Sequence, residues 1–159
     1  MNIFKSNSVG DTEHLARCFS KSGIGGAIVF LSGPIGSGKT AFVQGLAKAM
    51  GMRELPASAS FAIARSYGGT TARLYHFDLF RLKEEEVREC GYEDALADPD
   101  GVIAVEWPAP ARDYFPQDRL ELDFKLLAGG GRQVLAKAGG PCAAALLSKT
   151  ELLWQKKAK

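Results

Sequence analysis

The sequence predicts an α/β domain of three layers, in which helices cover both faces of a central mixed sheet. Two short apolar segments, 27–31 and 102–105, are typical of interior strands that are buried on both faces. Alternating apolar residues over 120–126 indicate an antiparallel hairpin at one edge of the sheet. The 159 residues, 46% of them hydrophobic, suit one globular domain spanning 1–159.

Helix and strand signals follow in order along the chain. The first helix is predicted to begin at 11–13, where Asp, Thr and Glu suit a helix start, and to stop at Gly23. The strand 27–31 and a glycine-rich segment come next. A second helix then ends at Gly51, and its apolar stripe consists of Phe42, Val43, Leu46, Ala47 and Met50.

The second half of the chain adds further elements. A hairpin turn at 68–69 leads into a strand over 73–77, and residues 83–90 predict a charged surface helix. After the strand 102–105, the edge hairpin turns at glycines 129–131. A C-terminal helix and basic tail occupy about 140–159, with Leu146, Leu147 and Trp154 as the predicted apolar contacts.

Residues 33–40 read G-P-I-G-S-G-K-T, which fits the phosphate-binding loop G-x-x-x-x-G-K-[ST] between a strand and a helix. Glycine can adopt backbone angles closed to other residues, so successive N–H groups can turn inward and cradle a phosphate. Lys39 is predicted to reach the β- and γ-phosphates, and the Thr40 hydroxyl to bind Mg²⁺. The sequence thus predicts a P-loop NTPase-like domain whose nucleotide contacts are Gly33, Pro34, Ile35, Gly36, Ser37, Gly38, Lys39 and Thr40.

Two carboxylates follow predicted strands. Acting on a γ-phosphoryl group requires a second anchor for the metal shell and a group that orients the attacking oxygen. Glu106 directly follows the strand 102–105 and is predicted to lie near the metal. Asp78 follows 74–77 and is predicted to reach the same crevice if the two strands flank the phosphate-loop strand. Surface acids at strand ends are the alternative for both.

Four segments together resemble the bacterial TsaE (YjeE) family: G-P-I-G-S-G-K-T, S-A-S-F at 58–61, Y-H-F-D-L-F-R-L at 75–82 and V-E-W-P at 105–108. The resemblance runs from about Asp11 to Arg132. That family is the ATPase component of the machinery that places threonylcarbamoyl on the adenosine next to the anticodon of certain tRNAs, and it works with TsaB and TsaD. The resemblance implies ATP and Mg²⁺ as cofactors and TsaB and TsaD as partners, with tRNA reached indirectly through the complex.

The resemblance also implies roles for single residues. Lys39, Asp78 and Glu106 would act in catalysis, and Thr40 and Glu106 would hold the metal. Trp107 matches the family's tryptophan, for which a ring that packs under the site is the alternative.

Three further residues have separate interpretations. Arg132 matches an arginine that can reach nucleotide in relatives, and a solvent-facing hairpin residue is its alternative. Ser60 keeps a hydroxyl that could sense the γ-phosphate, although the family usually has S-P-T-[FY] where this chain has S-A-S-F. Without proline the segment has more freedom. His76 is predicted to be a packed or strand-surface side chain.

The composition limits which other classes of function the sequence allows. A net charge of +2 is too small to indicate a nucleic-acid-binding stripe. Three widely spaced cysteines without a C-x-x-C pair suggest neither disulfides nor zinc. No apolar run approaches the length of a membrane span, so a cytoplasmic protein is expected. Two other functions remain open, a P-loop kinase that phosphorylates a small metabolite and a nucleotide sensor that does not hydrolyse ATP.

Overall fold

The computed structural model describes residues 2–57, 63–68 and 72–156. Within these residues, seven strands form one sheet in the order β1-β7-β6-β2-β5-β4-β3. The strands are β1 (Asn2–Ser6), β2 (Ile28–Ser32), β3 (Ala64–Gly68), β4 (Arg73–Asp78), β5 (Val102–Glu106), β6 (Leu120–Leu126) and β7 (Arg132–Ala138). The α-helices are α1 (Val9–Lys21), α2 (Lys39–Ala49), α3 (Tyr92–Leu96) and α4 (Pro141–Gln155), and 3₁₀ turns cover Glu84–Cys90 and Ala109–Ala111.

The centre of the sheet is parallel and both of its margins are antiparallel. Strand β2 pairs in parallel with β5 and with β6, and β4 pairs in parallel with β5. Antiparallel pairing joins β3 to β4, β6 to β7 and β7 to β1. Because parallel strands end on the same side, the carboxyl ends of β2, β4, β5 and β6 meet along one rim of the sheet.

Helices cover both faces, which confirms the predicted three layers. Side chains alternate across β2, so that Val29 and Leu31 belong to one apolar cluster while Ile28 and Phe30 belong to the other. The first cluster includes buried residues of α1, α2 and α4. The second includes buried residues of the 84–90 turn, α3 and the 109–111 turn. Within the described ranges, no helix has the length and apolar character needed to cross a membrane.

Two helices differ from the sequence prediction, one in where it begins and one in its type. Helix α1 begins at Val9 rather than at 11–13, because the Ser8 hydroxyl accepts a hydrogen bond from the Asp11 N–H at 3.1 Å and so caps the helix earlier. The predicted surface helix over 83–90 is a 3₁₀ helix over Glu84–Cys90.

The strand β1 was not predicted. It pairs with β7, so the β6–β7 hairpin forms as predicted but lies one strand inside the margin rather than at its outermost position. The physical reason is that β1 is five residues long and depends on a partner at the other end of the chain. The hairpin that reaches the opposite margin is β3–β4.

Candidate functional site

The loop 33–40 connects β2 to α2 at the rim where the parallel strands end. Gly33, Gly36 and Gly38 have φ angles of 133°, 77° and 106°, which lie in the region that favours glycine. A β-carbon at Gly33 would collide with the carbonyl oxygen of Phe124 on β6. The glycines therefore permit both the bend of the loop and its close approach to the neighbouring strand.

Lys39 begins α2 and folds its side chain back over the loop. Its Nζ donates to the carbonyl oxygens of Gly33 and Pro34 at 2.8 and 2.9 Å and stands 4.0 Å from the centre of the Trp107 ring. Burial lowers the pKa of Lys39, while the carboxylates of Glu106 and Asp78 act in the opposite direction. The ammonium group is thus held at the loop by carbonyl dipoles, a ring face and nearby acids.

Thr40 and Glu106 meet beside the loop. The Thr40 hydroxyl lies 3.1 Å from Oε1 and 3.2 Å from Oε2 of Glu106, which ends β5 and is 2% exposed. Strand β5 is adjacent to β2, so the sheet itself brings the end of β5 next to the first turn of α2. A hydroxyl and a buried carboxylate in contact supply hard oxygen atoms of the kind that Mg²⁺ prefers.

Asp78 ends β4 opposite Glu106 in the parallel register. Its Oδ1 accepts the Phe80 N–H at 3.2 Å. Burial raises the pKa of Asp78, the Phe80 N–H opposes that rise, and the charge of Glu106 reinforces it. Asp78 lies within electrostatic reach of Glu106 and Lys39. The condition stated for it, that its strand and β5 both flank the phosphate-loop strand, is not met, because β4 lies outside β5 rather than beside β2.

The sequence did not predict that His76 contacts Glu106. His76 is packed, as expected, being 3% exposed, yet its Nε2 lies 3.0 Å from Oε1 of Glu106. The two residues are thirty positions apart in the chain. Strand periodicity carries part of the signal, because side chains two residues apart share a face and His76 is thus on the face of Asp78. The contact with Glu106 also depends on the pairing of β4 with β5, which the sequence does not show.

Trp107 follows Glu106 with a φ of 57°, a left-handed conformation that is uncommon for a large residue. Its N–H donates to the Leu31 carbonyl oxygen at 3.1 Å, which ties the turn to β2. The Trp107 ring has Lys39 and Phe80 as neighbours, and the centres of the Trp107 and Phe80 rings are 4.8 Å apart. The ring therefore lies directly at the loop.

Arg132 begins β7 and packs over the loop rather than projecting into solvent. A β-carbon at Gly38 would stand 3.3 Å from Cδ of Arg132. The buried Nε of Arg132 and the buried hydroxyl of Ser37 have no hydrogen-bond partner within the part of the chain that the structure describes. Unpaired buried polar atoms are costly, so two of them at one loop indicate a site shaped for polar ligand atoms.

The residues present fit a nucleoside triphosphate with Mg²⁺. The first N–H groups of α2 have no partners within the helix, and the glycines, Ser37 and Arg132 add donors around the same loop. Thr40 and Glu106 are the residues that would hold the cation. Of the other predicted contacts, Pro34 and Ile35 are exposed on the loop, and Ser60 lies outside the described residues.

The fold and the loop together define the class of protein, a P-loop NTPase-like α/β domain. The crystal structure of YdiB from Bacillus subtilis superposes on the chain with a TM-score of 0.77 and 24% identity, covering 95% of this chain and 94% of that one. That likeness concerns the fold.

The particular family follows from sequence comparison. The family model for threonylcarbamoyl adenosine biosynthesis protein TsaE matches residues 6–134, and the chain belongs to the TsaE family. A relative from Borreliella burgdorferi, the tRNA threonylcarbamoyladenosine biosynthesis protein TsaE, is 41% identical over 111 residues, or 69% of this chain and 80% of that protein. The Bacillus subtilis protein of the same name is 29% identical over 130 residues, or 82% of this chain and 81% of that protein.

Proposed function

We propose that this protein binds ATP with Mg²⁺ at the loop 33–40 and hydrolyses it in support of threonylcarbamoyladenosine modification of tRNA. The contact of the Thr40 hydroxyl with the buried carboxylate of Glu106, beside the Lys39 ammonium, is the observation that carries this proposal. Family membership and the names of the relatives point to the tRNA modification. That role fits a cytoplasmic location.

Each residue of the site has a role that follows from the chemistry of its side chain. Lys39 exchanges its two carbonyl acceptors for phosphate oxygens, and the loop N–H groups with Ser37 and Arg132 bind the remaining oxygens. The Thr40 oxygen and Glu106 hold the metal, which supplies charge neutralisation at the phosphates when bound. Asp78 orients the attacking water, and burial makes its carboxylate a better proton acceptor.

Binding and hydrolysis serve to change how this protein docks on TsaB and TsaD. Hydrolysis by the isolated protein is slow, since a partner commonly completes the catalytic geometry of such a loop. Phosphate release from ATP, measured with the protein alone and with TsaB and TsaD together, tests this. Turnover should rise with both partners, and no rise at saturating partner would contradict the regulatory role.

A matched pair of variants completes that experiment. Glu106→Gln should bind nucleotide but lose most of its turnover, whereas Glu89→Gln, which changes an exposed residue of the 84–90 turn, should behave as the parent. A small hydroxylated acceptor that gains phosphate faster than phosphate is released would instead favour a metabolite kinase. Tight binding with no turnover in any mixture would favour a nucleotide sensor.

A further inference from the structure

His76 interrupts an otherwise apolar row of the sheet. On the face that α2 covers, the neighbouring positions of β4 and β5 are Leu74, Val102 and Ala104, all of them buried. The row becomes polar only at its end, where His76 meets Glu106. An apolar side chain would pack on this face equally well. Packing alone therefore does not explain why a polar imidazole is buried here.

The contact is directional. A carboxylate that holds a metal ion only accepts hydrogen bonds, so in the proposed site Nε2 of His76 is the nitrogen that donates a hydrogen bond to Oε1 of Glu106. Among the residues that the structure describes, the carboxylate's other hydrogen-bond partner is the Thr40 hydroxyl, whose single proton is shared between Oε1 and Oε2. Oε1 therefore has a donor of its own, and Oε2 is the oxygen less engaged by protein.

We propose that His76 is a positioning residue for the magnesium site: it holds Oε1 of Glu106 and so presents Oε2, together with the Thr40 oxygen, to the cation of the bound nucleotide. This inference rests on the proposed function. His76 touches neither nucleotide nor metal in this role and acts only through Glu106. A hydrogen-bonded partner behind a metal ligand typically contributes about 10–100-fold to metal affinity.

Two amide substitutions separate positioning from packing. In His76→Gln the amide nitrogen is as many bonds from Cα as Nε2 is, so a donor is kept near Oε1. In His76→Asn the amide is one bond shorter and does not reach. Both variants place a polar, uncharged side chain of smaller volume at the same buried position. Circular dichroism with thermal unfolding establishes that each is folded.

The measurement is the affinity for a non-hydrolysable ATP analogue by calorimetry, in Mg²⁺ and again in EDTA. The ratio of the two dissociation constants reports how much Mg²⁺ raises the affinity for the nucleotide analogue. His76→Asn should reduce the benefit of Mg²⁺ by about 10-fold or more and leave the affinity in EDTA unchanged. His76→Gln should restore most of the ratio. His14→Leu, which removes the chain's other histidine, on α1, should leave the ratio unchanged.

Several results would overturn the inference. Equal ratios in the parent and in both amide variants, or equal losses in the two, would show that the donor is irrelevant. A further loss when His76→Asn is added to Glu106→Gln would show that His76 does not act through Glu106. If the affinity of the parent for the analogue is the same with and without Mg²⁺, the proposed metal site is wrong, and this inference fails with it.

Discussion

The Lys39 ammonium has three partners within the protein itself. The carbonyl oxygens of Gly33 and Pro34 accept hydrogen bonds from it, and its Nζ lies over the Trp107 ring. These partners are dipoles and a ring face, which attract a cation less strongly than the full charges of phosphate do. Lys39 is therefore held close to its proposed position by contacts that a phosphate can replace.

Removing that charge provides the first test. Lys39→Ala should abolish measurable ATP binding, because the loop loses its only ammonium group and the phosphates keep only neutral donors there and the Arg132 guanidinium. Lys48→Ala is the matched control, since Lys48 lies on the same helix with its Nζ 2.6 Å from Glu13. Calorimetric titration with Mg²⁺ and ATP measures both. Parent-like binding by Lys39→Ala would contradict every nucleotide role of the loop.

At the scale of elements, α4 begins with a cap that comes from elsewhere in the chain. The position before the helix is Gly140, which has no side chain to offer. Asp118, in the segment before β6, instead accepts the N–H groups of Cys142 and Ala143, both at 2.9 Å. These two donors hold the pKa of Asp118 below its usual range. The cap thereby joins the start of β6 to the start of α4.

Asp118→Ala should lower the Tm at neutral pH, because two helix N–H groups lose their acceptor. A carboxyl whose pKa is depressed in the folded state contributes stability above its unfolded pKa and loses it as the pH falls through the folded value. The gap in Tm between parent and variant should thus close in acid. Asp113→Ala, which changes an exposed residue, should give no such gap. A pH-independent gap, seen by thermal unfolding across the acid range, would contradict the role of the charge.

At the scale of the whole molecule, strand order assembles the site. The loop follows β2, Glu106 ends β5, Asp78 ends β4, and Arg132 follows the turn after β6. Because β2, β4, β5 and β6 all run parallel, these positions gather along one rim. A ligand at that rim contacts segments that are distant in sequence, and its binding should therefore stabilise the fold as a unit.

Thermal unfolding tests that expectation. A ligand at 100 times its dissociation constant stabilises the native state by about 2.7 kcal/mol. For a domain of this size, that corresponds to a rise in Tm of roughly 5–10 °C. Mg²⁺ with ATP should produce such a rise in the parent, a smaller one should appear when EDTA replaces Mg²⁺, and none should appear in Lys39→Ala. A rise in Lys39→Ala equal to that of the parent would place the nucleotide elsewhere.

The sequence alone determined the features that depend on neighbouring residues. The apolar strand 102–105, the glycine-rich loop and the stripe of α2 were predictable because period and composition are read within one short segment. Glu106 was predictable as a site candidate for the same reason, since it directly follows a strand that is buried throughout. Its proximity to Thr40 then followed once β5 was found beside β2.

Only the tertiary structure decided the features that join distant segments. The β1–β7 pairing, the cap of α4 by Asp118, the packing of Arg132 over Gly38 and the contact of His76 with Glu106 each link residues that no local pattern relates. These contacts share one physical cause. Register and strand order are set by the burial of whole faces of the sheet, and a side chain meets its partner only after the sheet has placed the two next to each other.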